Sequence, residues 1–205
     1  ILSVANAKAQ VSVYKPFPDS NAIWNIRIGN GGTGPWSVSD ISYKLTGKDT
    51  LILGQIYKVI QDKFGNYISA IRQDIPNKKV YGILDILNPS DILLYDFNLQ
   101  IGDTFRSRPL VNCDSITVID ALDSIQINGQ YRKVLKSGNI DIIEGIGSND
   151  GLFEHYCFET SSVLCKFENG LNFYNINCTP LSTTENEITL DEIVVSNSRI
   201  YLPET

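Results

Sequence analysis

Histidine is almost missing from this 205-residue chain: only His155 is present. A Ser-His-Asp or Cys-His system routes its proton through an imidazole, so His155 would have to serve alone. It stands in Phe153-Glu154-His155-Tyr156-Cys157 with no nucleophile elbow beside it, and a structural or exposed role is the simpler expectation. A metal centre built on several histidines is excluded. The four cysteines, Cys113, Cys157, Cys165 and Cys178, form no CxxC pair, which removes zinc ribbons and thioredoxin-type sites. No run of about 18 apolar residues occurs, so no transmembrane helix is expected. Lys and Arg number 17 against 23 Asp and Glu, a formal charge of −6. The basic residues are scattered, which argues against a nucleic-acid partner. Glu144-Gly145-Ile146-Gly147-Ser148 lacks the lysine and following helix of a phosphate loop. Ser148-Asn149-Asp150-Gly151 lacks the alternating oxygen ligands of an EF-hand and reads as a turn. No cofactor or metal is expected.

What remains is 42% hydrophobic and 20% charged, enough for one large all-β domain or two smaller ones. Short β-branched and aromatic runs recur from Val11 onward. Asn30-Gly31-Gly32, Gly65-Asn66, Pro76-Asn77, Asn88-Pro89, Asn128-Gly129, Asn149-Asp150-Gly151 and Asn169-Gly170 punctuate them. Such spacing describes antiparallel meander or sandwich-like sheets. One or two helical turns are expected near Pro89 to Leu94. Asn128-Gly129 suits a type I′ hairpin turn, pairing Ile127 with Gln130 and Ile125 with Arg132. Asn169-Gly170 predicts pairs of Glu168 with Leu171 and Lys166 with Phe173. The stretch from Asp49 to Ile60 matches that from Asp123 to Leu135 with one inserted residue, an internal repeat. The resulting organisation is a first β unit over 10–110, a second over 111–180, a polar linker over 181–192 and a further β segment over 193–205. Residues 1–9 read as the remnant of a secretory signal peptide, because Ala5-Asn6-Ala7 and Ala7-Lys8-Ala9 fit the small-x-small cleavage pattern. An even number of cysteines suits an oxidising compartment, and three pairings are open.

Several motifs carry a family resemblance through their order. Phe17-Pro18-Asp19-Ser20-Asn21-Ala22-Ile23-Trp24 comes first, then Asp49-Thr50 with Tyr57-Lys58, Ile71-Arg72-Gln73-Asp74 and Lys79-Val80-Tyr81. Leu94-Tyr95-Asp96-Phe97, Ile101-Gly102-Asp103-Thr104, Glu144 to Ser148 with Gly151-Leu152, and Leu164-Cys165 before Asn169-Gly170 continue it. Together they resemble a family of secreted bacterial β-proteins of uncharacterised function, commonly followed by a type IX secretion sorting domain. The resemblance covers roughly residues 17 to 178. Leu190-Asp191-Glu192-Ile193-Val194-Val195 through Leu202-Pro203 resembles the opening strands of that sorting domain, without its usual Pro-Asn-Pro. The resemblance implies contact with secretion machinery during export and a place outside the outer membrane. It supplies no catalytic residue. A Cys165–Cys178 disulfide around the Asn169-Gly170 hairpin has the spacing that recurs in the family, which leaves Cys113 and Cys157 paired or free. Related bacteria attach O-linked glycans at Asp-Ser/Thr before a small or apolar residue, a pattern met at Thr50, Ser115 and Ser124.

Two functional expectations follow. The first is a non-enzymatic exported module that binds a surface protein or glycan, with Trp24, Trp36 and Glu144 as contact residues. The second is a secreted glycosidase-like hydrolase. It would need two carboxylates about 5–10 Å apart, drawn from Glu144, Glu154, Asp141, Asp96 and Asp103. The simpler reading of Glu144 is a carboxylate accepting backbone N–H bonds in a tight turn.

Overall fold

The computed structural model describes residues 13–31, 37–105, 117–154, 160–170, 172–175 and 178. The segments 1–9, 181–192 and 193–205 lie outside them, as do Trp36, Cys113, Ser115, His155 and Cys157. Every described regular element is a strand, and every pairing is antiparallel. The chain is all-β, as its alternating runs require.

Strands β1 (Ile23–Asn30), β2 (Ser37–Ile52), β3 (Gln55–Asp62), β4 (Tyr67–Asp74), β5 (Lys79–Ile83) and β6 (Ile92–Asp96) form a meander. It extends beyond β1 through β13 (Thr160–Asn169) and β14 (Asn172–Asn175), giving the order β14-β13-β1-β2-β3-β4-β5-β6. A second sheet holds β9 (Ala121–Ile127), β10 (Gln130–Ser137), β11 (Ile140–Ile143) and β12 (Gly147–Ser148). The short pair β7 (Thr104–Phe105) and β8 (Thr117–Val118) stands apart. The expected helical turn near Pro89 is absent. Ile92 and Leu93 instead pair with Gly82 and Tyr81, because a paired edge satisfies their backbone and half-buries their side chains.

Both inner faces close on one core. Trp24, Ile26, Tyr43, Leu45, Ile60, Leu94 and Phe167 meet Ile127, Val134, Leu135, Ile142, Ile143, Ile146 and Phe153. The segments 10–110 and 111–180 therefore share a core. They also share a sheet, since β13 lies beside β1. The repeated hairpin is seen in both. Leu53-Gly54 and Asn128-Gly129 occupy equivalent two-residue turns, with φ of 51° and 75° in one and 48° and 74° in the other. Ile127 pairs with Gln130 and Ile125 with Arg132, as the type I′ turn predicts.

The last hairpin is set differently from its expected register. Asn169 pairs with Asn172, Phe167 with Tyr174 and Lys166 with Asn175. The predicted pairing would have left residue 172 opposite Phe167. The observed one sets Tyr174 there, and Tyr174 packs against the core. Cross-strand aromatic packing outweighs the Asn-Gly turn preference.

A signal in the meander went unread in the sequence: an aspartate opens each connection from the end of β3 to the end of β6. Asp62 accepts N–H bonds from Phe64 and Asn66, Asp74 from Asn77, Asp85 from Leu87 and Asp96 from Asn98. The side-chain amides of Asn66, Asn77, Asn88 and Asn98 bond back to the same carboxylates. These Asx turns fix the connections with local hydrogen bonds.

Candidate functional site

The residues that sequence reasoning set aside for ligand contact or catalysis are mostly inside. Trp24 is fully buried; its Nε1 donates to the Ile146 carbonyl at 2.7 Å, and its ring packs on Phe17 and Phe167. No sugar can stack on it. Glu144 is buried too. Its carboxylate accepts the Lys133 N–H at 3.4 Å, while its carbonyl accepts Arg132 Nη1 at 2.9 Å. Burial pushes its pKa up, partly offset by backbone N–H bonds from Lys133 and Lys15. The carboxylate accepts backbone N–H bonds, as the simpler reading expects, but from Lys133 on β10 and from Lys15 rather than from its own turn. Gly145 beside it has φ of 73°, and a Cβ there would meet Arg132 Nη1 at 2.5 Å and the Lys15 carbonyl at 2.7 Å.

Glu154 lies under the β12 turn. It takes the Tyr43 hydroxyl on Oε1 at 2.7 Å and the Phe153 N–H on Oε2 at 3.0 Å, and burial raises its pKa. The other three carboxylates have local partners. Asp141 faces Lys136, Asp96 faces Lys79, and Asp103 accepts the Gln100 N–H. Among the described residues, the two raised carboxyls are sealed in the core. The arrangement a glycosidase needs, a carboxylate pair facing an open aromatic-lined cleft, is not what these five residues form.

An open site among the described residues is on the far side of the large sheet, where sequence reasoning placed the Cys165–Cys178 bridge but no ligand contact. A groove of about 430 Å³ crosses the outer faces of β13, β1 and β2, lined by Asn25, Arg27, Asp40, Ile41, Ser42, Lys63, Lys166 and the Cys165–Cys178 bridge, with Ile26 below. Its shape begins with a β-bulge. Asn25 pairs with Lys166 but Ile26 with Leu164, so Cys165 has no partner across the ladder. The extra residue lets Cys165 and Lys166 both leave on the outer face, while Leu164 and Phe167 remain in the core. The three-residue spacing of Leu164 and Phe167 on a strand was the sequence signal for this bulge. The disulfide joins Cys165 to Cys178 with a Cα–Cα distance of 5.4 Å, the pairing that the resemblance implied, and it forms one wall.

Charge and hydrogen-bonding groups line the rest. Arg27 holds Asp40 in a two-point pair, Nε to Oδ1 at 2.8 Å and Nη2 to Oδ2 at 2.9 Å. Those bonds hold the Asp40 carboxyl below its ordinary pKa. Lys166 bridges to Glu168 at 2.5 Å. Lys63 comes from the β3–β4 turn, with its Nζ 5.0 Å from the Phe64 ring centroid. Phe64 itself is 78% exposed. That turn is braced: the Asp62 carboxylate takes the Phe64 and Asn66 N–H groups at 2.8 Å each, and the Asn66 amide also at 2.8 Å.

Of the candidate glycan attachment points, Ser124 is exposed on the edge strand β9. Thr50 is half-buried opposite Tyr57, and Ser115 lies outside the described residues. Comparison with family models, curated proteins and solved structures returned no match.

Proposed function

We propose that the protein works outside the bacterial cell, secreted or held at the outer surface, as a non-enzymatic binding module in adhesion or surface assembly. The groove over β13, β1 and β2 is its contact site. One observation carries this reading. The open concavity is lined by donors, acceptors and charge, whereas the carboxyls with raised pKa, Glu144 and Glu154, are closed off in the core. A site of this size and mixed lining suits a ligand segment or a loop of a partner. Export is supported by the Cys165–Cys178 bridge, since disulfides persist in oxidising compartments. The small-x-small pattern in 1–9 and the motif order resembling secreted proteins with a sorting domain point the same way. In this reading the export machinery is a transient partner, a surface protein or glycan the lasting one, and Ser124 the accessible O-glycosylation site.

Fractionation of the source bacterium tests the proposal. Recovery from outer-membrane or culture fractions with an oxidised Cys165–Cys178 bridge, and with a co-purifying partner displaced by Arg27→Glu, is the expected result. Recovery from the cytosol with both thiols free would overturn it.

A further inference from the structure

We infer that the groove takes an acidic saccharide: a sugar segment carrying carboxylates, laid across β13, β1 and β2 with its charge against Lys63. The inference rests on the binding-module reading and narrows its ligand.

Three features point to a saccharide. The groove offers groups that donate and accept side by side: the Asn25 amide, the Ser42 hydroxyl and the paired Arg27 and Asp40. A sugar hydroxyl does both, so each such pair matches one hydroxyl or two neighbouring ones. The disulfide adds apolar surface suited to the C–H face of a ring. Phe64, the residue after Lys63, is an exposed aromatic on the turn that brings Lys63 to the groove, a candidate for the stacking part sequence reasoning assigned to Trp24 and Trp36. It sits on a turn locked by three bonds to the Asp62 carboxylate. A large exposed aromatic on a rigid turn loses little entropy when a ligand covers it.

The acidic character comes from charge. The chain as a whole is negative, at −6, yet the groove gathers Arg27, Lys63 and Lys166 against two carboxylates, Asp40 in its lining and Glu168 bridged to Lys166. Asp40 is already engaged by Arg27. The Lys63 ammonium reaches over an aromatic ring rather than a carboxylate, which leaves its charge for an incoming anion. A neutral glycan would gain nothing from that arrangement, while a uronate or sialate gains a charge-assisted hydrogen bond.

Titration of the intact, oxidised, isotope-labelled protein with oligogalacturonate and with oligosialate, followed by amide NMR shifts, tests this. The expected result is movement of amides in 25–27, 40–42, 63–66 and 165–166 with at least one of the two probes. Methyl-esterified, neutral oligogalacturonate or oligosialate should bind about tenfold more weakly. Lys63→Glu and Phe64→Ala, both at exposed positions, should each weaken binding about five- to tenfold. Lys48→Glu, on another part of β2, should leave it unchanged. Equal binding of the neutral ester at these amides would overturn the acidic assignment and leave the binding module standing. Tighter binding of a poly-glutamate peptide than of either saccharide would replace the saccharide with an acidic protein segment. No shift at the groove with either acidic probe would overturn the inference, and co-purification would then decide the module reading separately.

Discussion

Replacing Trp24 by phenylalanine removes the indole N–H that serves the Ile146 carbonyl and leaves that acceptor buried without its partner. An unsatisfied buried acceptor and a smaller ring together cost about 2–3 kcal/mol, measurable as a lower denaturant midpoint for Trp24→Phe. Glu154 gives a pH signature. Burial raises its pKa in the folded chain above the ordinary 4.5, so the folded state binds the proton more tightly than the unfolded one. The stability this contributes is complete below about 4.5 and is lost as pH rises through the elevated folded value. Glu144 titrates in the same direction. Glu154→Gln removes one of the two contributions, and denaturation across pH 4 to 8 should show a shallower decline for the variant than for the wild type. Neither burial was legible in the sequence. A tryptophan and a glutamate beside turn residues look like surface contacts until the second sheet is placed over them.

The two copies of the repeated hairpin differ where backbone chemistry is strictest. Asn128 tolerates a positive φ, but Leu53 holds φ of 51° at the equivalent place and is 59% exposed. The left-handed conformation brings the Cβ of a residue such as leucine too close to the following carbonyl, at a cost of about 1 kcal/mol. Leu53→Asn should therefore stabilise the protein by about 0.5–1 kcal/mol and raise its Tm by about 1–4 °C, read by thermal denaturation. The bridge closing β13 onto Cys178 spans 13 residues, a loop worth about 3 kcal/mol. Reduction should shift the denaturant midpoint down by a comparable amount and, by freeing the groove wall, broaden the amide signals of 165 and 166. Strand positions and the Asn128-Gly129 turn were legible from alternation and turn residues. The register of β14 was not, because Phe167 and Tyr174 settle it by packing across strands rather than by local preference.

One core spanning both sheets predicts one unfolding event. Far-ultraviolet circular dichroism and tryptophan fluorescence should trace the same denaturation curve, even though the repeat suggests two units. Separate transitions would show that 10–110 and 111–180 hold together independently. The order of strands was beyond the sequence for a physical reason. Ile23 meets Glu168 and Trp24 meets Phe167, and no local pattern announces a partner so far along the chain. The groove was hidden by the same fact, since its walls come from β1, β2, the β3–β4 turn and β13 and exist only after that distant pairing.

Because β13 zips onto β1, the earliest strand cannot be sealed until one of the last has been made. Throughout synthesis, from Trp24 to the emergence of Phe167, the nascent polypeptide is an open ribbon with an unclaimed edge and a wet tryptophan. Loop closure over such a span is slow, and a ribosome that stalls before that point releases a sticky fragment instead of half a protein.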